Sequence, residues 1–255
     1  MPQSARDAGP PGRMPRLHVA GDLKPEALLA LDQSQVNYLR NVMRLGAGSE
    51  FLAFNGRDGE WLMTLAELDR KKGSAHAVER TRPQAPAPGL HYCFAPLKHA
   101  RLDYMVQKAT EMGAGLLQPV LTRRTVAARV NGERMAANAI EAAEQCNLLT
   151  IPVIAAVVTF DRLLDDWPPA MPLVYCDESA PIASPLEALG GLTPGPVGVL
   201  VGPEGGFTPE ERASLRRRDF VVPIALGPRI MRADTAAVAD MAVVQAVVGD
   251  WRLID

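Results

Sequence analysis

The apolar positions of this chain follow two rhythms, and the change falls near residue 90. Up to about residue 82 they come in short runs cut by turn residues. Runs at 16–20, 49–54 and 61–65 read as strands, and Asn55-Gly56 and Asp58-Gly59 are turn signals between the last two. Residues 25–31 and 34–43 read as short helices. The pattern predicts a small β-rich, barrel-like domain over 15–82. Pro83, Pro86 and Pro88 make 83–89 an extended linker. Over 90–255 apolar runs alternate with amphipathic stretches. Strands are expected at 92–96, 116–121, 173–176, 197–201 and 221–226, and helices at 101–112, 134–149 and 235–248. In the first of these helices Leu102, Met105, Val106, Ala109 and Met112 share one face, and Gly113 ends it. The last is almost wholly Ala, Val and Met, so it is expected to be buried, either as a central core helix or against a second subunit. Such alternation predicts an α/β domain, a parallel sheet covered by helices. Residues 1–14, rich in Pro, Gly and Arg and without periodicity, read as a disordered extension.

Two of the expected strands run into loops of the same build. After 197–201 comes Gly202-Pro203-Glu204-Gly205-Gly206-Phe207. Thr208, Pro209 and Glu211 then carry the chemistry of a helix start: an N-cap, a first-turn proline, and a carboxylate that reaches back. Three glycines in this loop, with no Lys, Ser or Thr for a phosphate, fit either a tight βα turn or a backbone that approaches a ligand closely. After 221–226 comes Gly227-Pro228-Arg229-Ile230-Met231-Arg232-Ala233-Asp234-Thr235, again strand, Gly-Pro loop and helix.

Together these loops resemble the signature of the 16S ribosomal RNA uridine-N3 methyltransferases, a family of the trefoil-knotted SPOUT superfamily that uses S-adenosyl-L-methionine (AdoMet). The family pattern is G-P-E-G-G-F/L and, further on, L-G-x-R-I-L-R-T-E-T-A. This chain keeps the first part whole. In the second it departs at Met231, Ala233 and Asp234 and keeps Arg229, Arg232 and Thr235. The resemblance runs from about Pro15 to the C-terminus. It implies a knotted parallel-sheet SPOUT methyltransferase domain behind a PUA-like RNA-binding domain. It implies AdoMet as methyl donor, held by Leu200, Gly202, Pro203, Glu204, Gly205 and Gly206. The second loop would add Leu226, Gly227, Ile230, Met231 and Thr235, both loops acting largely through their main chain. A backbone contact tolerates Met231 where the family has leucine.

The implied substrate atom is N3 of a uridine in the decoding region of 16S rRNA in the small ribosomal subunit. The implied partners are that RNA and a second copy of the chain, in a homodimer. N3 lies on the Watson–Crick edge, so the base must be unpaired. A nearby cation favours loss of the N3 proton. Arg232 is the candidate for that catalytic role; a salt bridge to Asp234 or Glu204 is the other reading. Arg16, Arg44, Lys98, Arg101 and Lys108 match basic positions of the family, and Arg123 follows the strand at 116–121. These are the candidate RNA contacts, and each also reads as a solvated face. Asn37 and Tyr38 stand where the family usually has histidines. Leu148 stands where an arginine usually follows the Glu141-Ala142-Ala143-Glu144-Gln145-Cys146-Asn147 stretch.

Composition narrows the picture only a little. Hydrophobic residues make up 47% and charged residues 22%, ordinary for a soluble globular chain. No apolar run is long enough for a bilayer and no signal-peptide core begins the chain. Cys93, Cys146 and Cys176 lie far apart, without metal-binding spacing. A cytoplasmic protein without a metal is expected. The net charge of −2 gives no bulk attraction for nucleic acid, so any RNA surface must be local. Phosphate-loop, dinucleotide, zinc-protease and nucleophile-elbow motifs do not occur. Two other functions stay open: a knotted ribose 2′-O methyltransferase, and a non-catalytic RNA-binding assembly factor that keeps the fold.

Overall fold

The structure, a computed structural model, describes residues 14–98, 100–127, 129–177, 180 and 184–253. The extension expected at 1–14 lies outside them except for Met14. The chain divides into two units. One runs to Pro86 and takes in Asn147–Thr150; the other holds Ala87–Cys146 and the chain from Ile151 onward.

In the first unit β1 (Arg16–His18), β2 (Leu28–Leu31), α1 (Gln33–Asn37), β3 (Glu50–Phe54), β4 (Glu60–Leu68) and β5 (Gly73–Arg82) follow one another. The sheet order is β1-β3-β4-β5-β2. β1 lies parallel to β3, and the other pairs are antiparallel. Leu17, Val36, Phe51, Met63 and Leu65 fill its core. The helix expected at 25–31 is instead strand β2. Its residues alternate between exposed and more buried positions against β5, and that pairing outweighs the helix preference of Leu and Ala. The helix expected at 34–43 is α1, opened by a capping box of Asp32 and Gln35, followed by a π-type turn at Tyr38–Val42.

Arg16 departs from its expected place on an RNA-facing surface, being only 8% exposed. Its Nε donates to Glu60 at 2.6 Å, and its guanidinium carbon stands 3.7 Å from the Phe54 ring centroid. It also donates to the Leu148 carbonyl. A planar cation stacked and paired in this way serves the packing of its own unit. Arg44 stays exposed, in the left-handed region with φ of 57°.

The second unit begins with β6 (Leu90–Phe94), α2 (Ala100–Glu111), β7 (Ala114–Leu121) and α3 (Gly132–Gln145). Short strands β8 (Val153–Ile154) and β9 (Val158–Thr159) lead to α4 (Phe160–Asp166). Then come β10 (Leu173–Cys176), α5 (Pro185–Leu189), β11 (Val197–Val201), α6 (Pro209–Arg216), β12 (Val221–Ile224) and α7 (Ala233–Val247). The sheet runs β12-β10-β11-β6-β7-β8 with every pair parallel, as the alternating pattern predicts. All five residues of β11 are buried, which is why the strand reads as an unbroken apolar run. Gly198 in that strand gives room to Trp167: a Cβ there would lie 2.3 Å from the ring. α3 stops short of the expected 149 because Asn147 turns left-handed, with φ of 59°.

Candidate active site

β12, β10 and β11 are parallel neighbours, so their carboxyl ends open on one edge of the sheet. Ligands of open α/β sheets sit at that edge. The two Gly-Pro loops leave from it.

In the first loop Gly202 is required by Phe207, which folds back over it: a Cβ would lie 2.9 Å from the ring. Phe207 is buried against Phe160 and Tyr175. The Gly206 N–H closes a turn on the Pro203 carbonyl at 2.8 Å, and Gly206 takes a φ of 66° that favours glycine. Thr208 then opens α6 with a full capping box. The carboxylate of Glu211 is buried and serves two segments. Oε2 accepts the Thr208 N–H and Oε1 accepts the Arg123 N–H, each at 2.8 Å. Arg124 donates to the Gly205 carbonyl at 2.6 Å, and Arg101 pairs with Glu204. The segment after β7 and the first turn of α2 are thus strapped to the 202–206 loop.

In the second loop Gly227 takes a φ of 97° with open space where a side chain would stand. Ile230 is 96% exposed, and Met231 is half-buried. Arg232 caps α7 without a side-chain hydrogen bond. The salt bridge considered for it is not made. Glu204 belongs to Arg101, Asp234 accepts the Thr235 N–H, and among the described residues Arg232 has no ion-pair partner. The N–H groups of Glu204, Gly205, Ile230 and Met231 take no acceptor among the described residues. Leu200 is fully buried, so only its main chain is available to a ligand. Small side chains, unused backbone donors and the Arg232 cation fit a ligand rich in acceptors. AdoMet is such a ligand, with its carboxylate, ribose oxygens and adenine nitrogens.

Two buried acids at this edge escape a reading by pattern. Asp177 accepts from the Tyr175 hydroxyl at 2.7 Å and from Arg216 at 2.9 Å, and Arg212 stands 3.6 Å away. It ties α6 to the end of β10. Arginines four apart opposite an acid at a strand end were the available signal. Asp240, on α7, has no exposed surface; the Cys176 thiol donates to its Oδ2 at 3.0 Å, and Oδ1 has no partner among the described residues. Burial pushes its carboxyl up to about 7, against the pull of the thiol hydrogen bond. Burial and the nearby Asp240 push both Cys176 and Tyr92 well above their ordinary values. An acid in the middle of a mostly apolar helix, one of two on α7, was the signal here.

Of the expected RNA contacts in this unit, Lys98 and Arg123 are exposed, and Arg101 is held by Glu204. Lys108 pairs with Glu111 at 2.7 Å, a hydrogen bond that raises its ammonium pKa. Among the described residues no three of His, Cys, Asp and Glu are grouped to hold a metal ion, and no helix is long and apolar enough to cross a membrane.

The sequence pattern of the RNA methyltransferase domain family matches residues 83–245, and that of the RNA methyltransferase PUA domain matches 31–76. The ribosomal RNA small subunit methyltransferase E of Rickettsia conorii is 30% identical over 232 residues, 90% of this chain and 94% of its own length. That of Synechocystis is 31% identical over 238 residues, 91% of this chain and 77% of its own. A crystal structure of the Neisseria gonorrhoeae methyltransferase E bound to S-adenosyl methionine superposes with a TM-score of 0.81 at 25% identity, covering 93% of this chain and 99% of that one. A putative methyltransferase from Legionella pneumophila, in complex with the same cofactor, gives 0.80 at 25% identity with the same coverage. Matched across both Gly-Pro loops and the small unit, the chain belongs to the ribosomal RNA small subunit methyltransferase E family, with a SPOUT-type α/β methyltransferase domain behind an N-terminal PUA domain.

Proposed function

We propose that this protein transfers a methyl group from AdoMet to N3 of a uridine in the decoding region of 16S rRNA. The observation that carries this reading is the edge at β11 and β12, where two Gly-Pro loops leave backbone donors unused and Arg232 unpaired. The relatives that act on small-subunit rRNA and the neighbours that hold S-adenosyl methionine support the RNA class and the donor. AdoMet supplies a methyl group activated by a sulfonium centre. The 202–206 and 226–231 segments, with Leu200 and Thr235, bind it through the main chain. The uridine must leave its base pair to present N3. The Arg232 guanidinium favours the N3 anion left when the N3 proton passes to solvent water, and the lone pair of that anion takes the methyl group. No side chain at this edge is assigned as general base, and holding the two reactants together supplies much of the acceleration. Lys98, Arg101, Lys108 and Arg123 face the RNA from the catalytic unit, and Arg44 from the small one.

Small subunits from cells lacking the endogenous activity test this. After incubation with protein and AdoMet, nucleoside mass spectrometry should find 3-methyluridine. Ribose 2′-O-methyl nucleosides without 3-methyluridine would assign the other chemistry. RNA binding without AdoMet binding in calorimetry would make the protein an assembly factor.

A further inference from the structure

A cavity of about 590 Å³ opens between the start of α2 and the start of α3. Its floor is apolar, made by Leu97, Leu102 and Met135, of which Leu97 and Met135 are buried. Its rim is basic. Arg134 is already engaged, donating to both carboxylate oxygens of Asp103. Lys98 and Arg129 are exposed and have no ion-pair partner among the described residues. The volume lies within the roughly 300–1,000 Å³ of small-molecule sites. The cavity adjoins the candidate active site through one helical turn, since Arg101, next to Leu102, pairs with Glu204 of the first Gly-Pro loop.

An apolar floor beneath unneutralised cations matches one ligand chemistry closely. An unpaired nucleotide offers a flat apolar base face and a phosphate together. A base inside a duplex has both faces stacked, so it offers its phosphate and groove edges but no open face. We propose that this cavity receives one unpaired nucleotide of the RNA substrate, with its base on Leu97, Leu102 and Met135 and its phosphate at Lys98 and Arg129. The proposal rests on the RNA methyltransferase reading and deepens it, by naming where this unit holds RNA already opened from its pair. It also gives Lys98 a task beyond general attraction: to fix the register of the strand beside the site of transfer.

Two variants test it, with a labelled oligouridine and a blunt RNA duplex as probes. Ala127 lines the cavity without belonging to the floor or the rim cations. Ala127→Trp should fill the space and weaken oligouridine binding about tenfold, the loss of one stacked base. AdoMet affinity by calorimetry and the unfolding temperature should stay at the wild-type values. The double variant Lys98→Gln with Arg129→Gln should flatten the dependence of log affinity on log salt by about 1. Wild type should prefer oligouridine to duplex. A folded Ala127→Trp variant that binds oligouridine as wild type does, or a wild type that prefers duplex, would overturn the proposal. If Ala127→Trp does not fold, the double variant decides, and an unchanged salt slope overturns it. The parent reading fails separately. A wild type that shows the oligouridine pattern but binds no AdoMet keeps the cavity and loses the methyltransferase; methyl transfer with both variants unaffected does the reverse.

Discussion

Arg16 shows how far a single residue can stand from its expected task. Its cation is matched to a Glu60 carboxylate only 4% exposed, with the Thr81 hydroxyl and Arg82 as lesser partners. Removing one member of a buried pair leaves the other uncompensated, at a cost of about 3 kcal/mol. Arg16→Ala should therefore lower the urea midpoint clearly, whether or not RNA is present; an unchanged midpoint would return Arg16 to the RNA surface. Asp240 makes a second prediction at this scale. Its folded carboxyl keeps its proton to about pH 7, whereas an unfolded one releases it near 3.8. Over that interval the unfolded state sheds protons first, so the contribution of Asp240 to stability is full below about pH 4 and falls as pH rises to about 7. Asp240→Asn removes this dependence. Compared with the variant, wild type should lose on the order of 2–4 kcal/mol between those limits. Parallel denaturation series at pH 4, 5, 6 and 7 would measure it, and parallel lines would refute it.

At the scale of elements, the two halves of a loop and helix are joined through one carboxylate. Glu211→Gln keeps the size of the side chain but leaves only one oxygen for the two N–H donors of Thr208 and Arg123. The expected loss is about 1 kcal/mol of stability, as for other caps. AdoMet binding by calorimetry should weaken several-fold, because the 202–206 loop loses its fixed end. Wild-type affinity in this variant would show that the strap is irrelevant to the crevice. Much of this element was legible beforehand. Thr208, Pro209 and Glu211 announce a capped helix, and the apolar runs of β10 and β11 give strand bounds that match the structure. The bond from Arg123 was not legible, since it joins residues 88 apart in sequence. β2 reads as a helix in the sequence because its strand partner β5 lies more than forty residues on. β8 and β9 are two residues each, too short to leave any period. Within the candidate site the loops were readable from glycine and proline. Which of the three glycines turns left-handed was not readable: it is Gly206, and Gly202 and Gly205 take no positive φ. Asp177 and Asp240 were hidden because a buried acid is specified by what surrounds it.

For the whole molecule, α7 sets the question of assembly. Ala237, Met241 and Val244 lie in the core and Val243 and Val247 pack against it, while Val238 is half-buried outside that cluster. We propose, as the resemblance implies, a homodimer through the catalytic unit, for which the exposed Ile230 and the half-buried Val238 offer apolar surface. Light scattering should give about twice 27.4 kDa at micromolar concentration; a monomer with full activity would overturn it. The division of the chain bears on a different property. It passes from one unit to the other after Pro86, after Cys146 and after Thr150. The short return, Asn147–Thr150, is held by residues far earlier in sequence: Arg16 reaches the Leu148 carbonyl, Arg82 reaches Asn147, and Gln84 reaches the Leu149 carbonyl. A protease that nicks the proline-rich stretch at 83–89 would therefore make two polypeptides but not two particles. The nicked protein should elute as one species from a native sizing column and separate only in denaturant, the N-terminal fragment staying clasped around four residues of the other.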